Sequence, residues 1–192
     1  SRSRAPRRLA GGSPARPGRE DHDTARALLL IDLDHFKETN DRFGHALGDA
    51  VLVAVAQRLR STLRETDMVV RWGGEEFLVL AKTAADRVDE IAARILRAVA
   101  AEPIVLNDKV IRATVSIGYA PLPLPPARTP LSWDRAIGLV DMALYMAKVN
   151  GRNRAYGIQR VNGDGDTSLA AAERDLERAW KDGLVDLDVH YG

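Results

Sequence analysis

The run from Ala27 to Leu33 is continuously apolar, interrupted only at its end by Asp32 and then by Asp34. A short run without polar alternation reads as a strand buried on both faces, so it demands covering layers on both sides of a sheet. Side chains alternate along a strand, which points Asp32 and Asp34 the same way if the strand extends that far. A second constraint is Arg71-Trp72-Gly73-Gly74-Glu75-Glu76-Phe77. Strand-like segments, Met68 to Trp72 and Glu75 to Leu80, flank a Gly-Gly pair able to adopt the positive φ values of a two-residue hairpin. Glu75 and Glu76 then stand at or beside its tip, where adjacent negative charges need something positive nearby. A divalent cation is one answer, and a solvated acidic turn is the other.

Periodicity places the remaining elements. Phe36 to Phe43 is a polar helical segment. Asp49 to Leu63 carries Val51, Val55, Leu59 and Leu63 at four-residue spacing, which predicts an amphipathic helix. Ala84 to Ala101 repeats apolar residues at i, i+3, i+4 and i+7. Ile104 to Leu106 and Val110 to Tyr119 read as a strand pair joined through Asn107-Asp108. The proline-rich stretch from Pro121 to Pro130 reads as loop. Trp133 to Asn150 is a third helix, closed by Gly151, and Arg154 to Ile158 a last edge strand. Ser168 to Lys181 reads as an appended helix. This order predicts an α+β fold with a mainly antiparallel sheet flanked by helices.

Composition narrows the class. A net charge of +1 gives no global field for nucleic acid or membranes, and the absence of cysteine removes disulfides and thiolate sites. No apolar run approaches the roughly 20 residues of a membrane span. A soluble, cytoplasmic protein is the expectation. Residues 1–23 read as a disordered basic segment, with six arginines among Pro, Gly and Ser before Glu20. Such a segment is a linker or an arm for an acidic partner.

The chemistry gathers at strand ends. Carboxylates on neighbouring strands, about 4.8 Å apart, can converge on one hard cation. Oxygen donors without His or Cys favour Mg2+ or Mn2+ over zinc. His35, Phe36 and Lys37 open a helix whose backbone N–H groups and ammonium suit phosphate. Asp141, Lys148 and Arg152 share a stripe at a helix end, either gripping a ligand or simply complementing the macrodipole.

Together these motifs resemble the GGDEF domain of diguanylate cyclases, over roughly residues 24–160. The matching stretches are Ile31 to Lys37, Asn40 to Asp49, Arg71 to Phe77, Val115 to Gly118, Asp141 to Lys148, and Gly151 to Arg154. The resemblance implies a palm-like, nucleotidyl-cyclase-like sheet that condenses two GTP into cyclic di-GMP and pyrophosphate. It implies Asp32, Leu33 (through its carbonyl) and Glu75 as ligands of Mg2+ or Mn2+, with Glu76 a weaker catalytic candidate beside Asp32 and Glu75. Asn40 and Asp49 would read the guanine edge, while Phe36, Lys37, Lys148 and Arg152 hold the rest of the nucleotide. Arg64 and Asp67 match an RxxD product-inhibition site, to which Arg71 contributes; the same pattern also suits a charged helix end.

Catalysis in such domains requires a homodimer, each subunit presenting one GTP. A non-catalytic module that binds GTP or cyclic di-GMP is the alternative. The usual opening Asp-x-Leu-Thr-Gly-Leu-x-Asn-Arg-Arg segment has no match before Ala27. Residues 161–192 lie beyond the resemblance, as a C-terminal extension with a helix.

Overall fold

A computed structural model describes residues 24–126 and 131–192; the expected disordered arm, 1–23, lies outside the described residues. The apolar run forms β1 (Thr24–Leu33), followed by α1 (Phe36–Phe43) and α2 (His45–Thr62). Next come β2 (Met68–Arg71) and β3 (Glu76–Ala84), a short 3-10 turn at Ala85–Arg87, and α3 (Val88–Ala100). A small ribbon, β4 (Ile104–Leu106) and β5 (Lys109–Ile111), precedes β6 (Val115–Leu122), α4 (Trp133–Val149) and β7 (Arg154–Val161). The chain ends with α5 (Gly165–Arg174), α6 (Leu176–Lys181) and β8 (Val185–Tyr191).

The main sheet runs β2-β3-β1-β6-β7-β8, and only the β6–β7 pair is parallel. β1 therefore lies inside the sheet, and its two faces feed two cores. Leu29, Ile31 and Leu33 join Val51, Val55 and Leu59 of α2 and Ile91, Ile95 and Leu96 of α3. Leu28 and Leu30 face Leu139, Val140 and Leu144 of α4, with Leu169 and Leu176 beyond them. Double burial is thus why β1 carries no alternation. Asp32 shares the α4 face by parity with Leu28 and Leu30.

Gly118 sets how closely α4 lies on the sheet. A Cβ there would stand 2.0 Å from the Val140 carbonyl oxygen and 2.4 Å from Leu144 N, so helix backbone rests directly on β6.

Several expectations change. Gly73 and Gly74 do not take positive φ. Trp72 N–H donates to Glu76 O at 2.8 Å, leaving a three-residue turn, Gly73-Gly74-Glu75, instead of a two-residue one. Positive φ occurs instead at Asn107 and Asp108, the two-residue turn between β4 and β5. The strand expected from Val110 to Tyr119 is two strands, because Thr114 turns aside and its carbonyl accepts from Asp34 N–H. Pro121 lies within β6, opposite Ala27 and past the point where the β7 ladder stops at Tyr119.

β7 is not an edge strand, since β8 covers it. The appended helix is two, divided at Asp175, whose carboxylate accepts from Arg178 N–H and caps the second. No described helix is long and apolar enough to cross a membrane.

Candidate active site at the end of the central strand

β1 delivers Asp32 to the sheet's end, opposite Glu76 on β3 and Ser116 on β6. The hairpin turn folds over the same end: Leu33 N–H donates to Glu75 O at 3.2 Å. Arg71 holds the turn from beneath, donating to the carbonyls of Gly73 and Gly74. The Trp72 ring meets Trp133, at the start of α4, edge-on with centroids 6.4 Å apart. A Cβ at Gly74 would meet nothing within 4 Å, so the turn presents bare backbone to open space.

Asp32 is 7% exposed and pairs with Lys148 Nζ at 2.9 Å. Its carboxyl is raised to about 6, above all by burial, with Lys148 lowering it and the charges of Glu75 and Glu76 raising it. One ammonium thus pairs with a carboxylate that feels the charge of two more.

Asp34 has the opposite setting. It accepts from Thr114 Oγ1 and Ser116 Oγ, each at 2.7 Å, and from Asn153 N–H at 2.9 Å. This fixes the tight turn after α4, where Gly151, Arg152 and Asn153 all have positive φ. The left-handed φ of Arg152 takes it out of the helical stripe expected with Asp141 and Lys148. Its N–H still donates to Ala147 O at 2.9 Å, so the turn stays folded against the helix end. Sequence reasoning missed Thr114, Ser116 and Asn153 as partners, because they stand 80, 82 and 119 residues from Asp34.

The remaining predicted nucleotide residues sit on α1 and α2. Lys37 and Phe36 open α1 after His35, which has a left-handed φ of 57°. Asn40 lies against Gly48, where a Cβ would stand 1.8 Å from Asn40 Oδ1. That oxygen is buried without a hydrogen-bond partner, and Asp49 is exposed one residue on. A separate groove of about 750 Å³ opens between α2 and the β4–β5 ribbon, lined by Arg42, Phe43, Leu47 and Leu106. It lies off the carboxylate cluster.

Arg64 and Asp67 close a turn at the base of β2. Asp67 is buried, and its carboxylate accepts from Arg64 N–H at 2.9 Å and Lys82 N–H at 3.4 Å. The Arg64 side chain is exposed. Arg71 stands at the far end of β2, engaged with the hairpin instead of with Asp67.

Comparison with known proteins identifies the family. The family model described as "Diguanylate cyclase, GGDEF domain" matches residues 15–154. Diguanylate cyclase TpbB of Pseudomonas aeruginosa is 40% identical over 162 residues, 83% of this chain and 35% of that protein. The chain therefore spans about a third of the length of this curated relative. The crystal structure of the TpbB GGDEF domain superposes with a TM-score of 0.62 at 43% identity, covering 69% of this chain and 81% of that one. The GGDEF domain of DgcB from Caulobacter crescentus, in complex with c-di-GMP, gives 0.60 at 32% identity, over 68% and 75%. This chain belongs to the GGDEF domain family of diguanylate cyclases.

Proposed function

We propose that this domain catalyses the condensation of two GTP into cyclic di-GMP, working as a homodimer in the cytoplasm with one nucleotide on each subunit. The observation that carries the reading is the intact Gly73-Gly74-Glu75-Glu76 turn hydrogen-bonded onto the end of β1, beside a buried Asp32. The ribose 3′-oxygen of one GTP attacks the α-phosphorus of the other. A new P–O bond forms as the bond to pyrophosphate breaks, and repetition in the opposite sense closes the ring. The 3′-hydroxyl proton leaves to Glu75 or to solvent.

Asp32, Glu75 and the Leu33 carbonyl are hard oxygen donors, and the excess of carboxylates over cations around Asp32 suits Mg2+ or Mn2+ there. Such an ion supplies charge neutralisation at the reacting phosphate. Lys148 and Arg152, with Lys37 on α1, would take the β and γ phosphates. Asn40 offers an amide and Asp49 a carboxylate, which together complement the O6 acceptor and the N1–H and N2–H donors of guanine. The unpartnered Asn40 Oδ1 favours a ligand in that position.

Arg64 and Asp67, with Arg71 further along β2, are proposed to form a product brake. Asp67 holds the turn, and the exposed Arg64 guanidinium is free to grip a phosphate or guanine.

The test is incubation of the chain with GTP and Mg2+, followed by mass analysis of the product, with dimerisation enforced by a fused coiled coil. Cyclic di-GMP is the expected product, and Glu75→Ala abolishes it. No product from the enforced dimer overturns the catalytic reading; tight cyclic di-GMP binding without synthesis would mark a binding module instead. Arg64→Ala should keep synthesis and relieve inhibition, and an unmoved inhibition curve removes the brake.

A further inference from the structure

Asp89, Asp188 and His190 meet where α3 packs against β8, at the opposite edge of the sheet from β2. Asp89 lies in the first turn of α3. Asp188 and His190 are two apart on β8, so they share one face. A ligand atom from each of the three residues lies within 4.8 Å of the others, and all three side chains are half-buried. His190 Nε2 is buried without a hydrogen-bond partner, 3.7 Å from Asp89 Oδ2. That separation is too long for a hydrogen bond.

A second observation points into the same cluster. Tyr119 is fully buried and its hydroxyl has no hydrogen-bond partner. Tyr119, Gly157 and Asp188 form one row across β6, β7 and β8. The tyrosine ring crosses that row only because position 157 is glycine: a Cβ there would stand 2.0 Å from Tyr119 Cζ. Burial raises the phenol's pKa, and the charges of Asp188 and Asp89 raise it further. The Gln159 side chain comes close enough to the phenol to oppose that rise, though without a hydrogen bond of proper geometry, and it donates to Asp188 Oδ2 instead. The macrodipole of α3 explains an aspartate at Asp89 by itself. It does not explain a second carboxylate, an unpaired imidazole nitrogen and an unpaired phenol converging there.

We propose that Asp89, Asp188 and His190 bind a zinc-class dication, with the Tyr119 hydroxyl behind the ligands. One imidazole nitrogen and two carboxylate oxygens suit zinc at bond lengths of about 2.0–2.2 Å, and the imidazole selects against magnesium. Three protein ligands leave a fourth position for water, to which a phenol can hydrogen-bond. Asp188 and His190 lie outside the matched residues 15–154. Two of the three ligands therefore come from this chain's C-terminal extension, and the site ties β8 to α3.

The experiment is calorimetric titration of the EDTA-stripped chain with zinc chloride alone, without nucleotide, with elemental analysis of the product. One zinc per chain is expected, undisturbed by excess magnesium. His190→Ala, and Asp89→Asn on a separate element, should each weaken binding more than about 100-fold. Circular dichroism checks that both variants fold, and Asp89→Asn keeps the side-chain shape if His190→Ala does not. Glu75→Ala, which alters the other carboxylate site, should retain the zinc. Absence of stoichiometric zinc, equal affinity in wild type and both ligand variants, or loss of the zinc in Glu75→Ala overturns the proposal.

Discussion

Asp32 and Asp34 stand two residues apart at the end of β1, both 7% exposed, yet they serve regions with opposite electrostatics. Around Asp34, three neutral donors from two distant segments satisfy the carboxylate and lock β1, β6 and the turn after α4 together. Around Asp32, one ammonium faces a carboxylate whose neighbours are two further carboxylates. A buried charge with enough hydrogen bonds is a fastener, whereas one left short of positive charge is held ready for a cation. The first region gives the second its geometry, because the turn that Asp34 clamps follows directly on the helix carrying Lys148.

Substituting each carboxylate should therefore damage different properties. Asp32→Asn removes an anionic ligand while keeping the shape. Under the cyclase reading, synthesis falls by more than about 1,000-fold, about 4 kcal/mol of transition-state stabilisation. Its urea midpoint at pH 7 should hold or rise. If Asp32→Asn unfolds the domain, the two regions are not different in kind.

Asp34→Ala leaves two hydroxyls and a backbone N–H without their charged acceptor. The expected cost is about 3–5 kcal/mol of stability, with the melting temperature falling by about 10 °C, read by urea and thermal denaturation. Asp34→Asn should cost less, because the amide keeps one acceptor oxygen.

The sequence made the Asp32 region legible and the Asp34 region almost invisible, for a physical reason. The proposed catalytic groups cluster in short stretches, Ile31 to Lys37 and Arg71 to Phe77, whose spacing is itself the signal. The partners of Asp34 are ordinary Thr114 and Ser116 hydroxyls and the Asn153 backbone N–H, which no local pattern marks. The helices were readable because their apolar stripes face one core each. Where two structures compete locally, reading failed: Asp175 ends one helix and caps the next, and Thr114 divides an apparently continuous strand. β8 did carry a signal, since Val185 to Tyr191 alternates apolar and polar residues as a half-buried strand does, but it stands outside the motifs of the matched domain.

Acidification sharpens the contrast through Asp32. Its carboxyl is raised to about 6 from 3.8. Between those values the folded state holds a proton that the unfolded chain has lost, so this group's contribution to stability grows as pH falls from about 6 towards 4. The full gain is at most about 3 kcal/mol. It should appear, in EDTA, as a difference in unfolding free energy between wild type and Asp32→Asn that changes across this window. A difference that stays flat from pH 7 to 4 would mean Asp32 is better solvated than its burial implies.

The smallest stability effect belongs to Arg71, and it tests whether the hairpin needs its own fastener. The guanidinium is exposed and donates to the Gly73 and Gly74 carbonyls, so Arg71→Ala should cost less than about 1 kcal/mol. The turn it releases carries Glu75, and small displacements of a reacting group are expensive in rate. Synthesis should fall about tenfold with nearly unchanged melting. Inhibition by product separates this latch from the brake at the base of β2. If Arg71→Ala leaves the rate intact and relieves inhibition as fully as Arg64→Ala, its role lies in the product site, and the hairpin holds its shape without it.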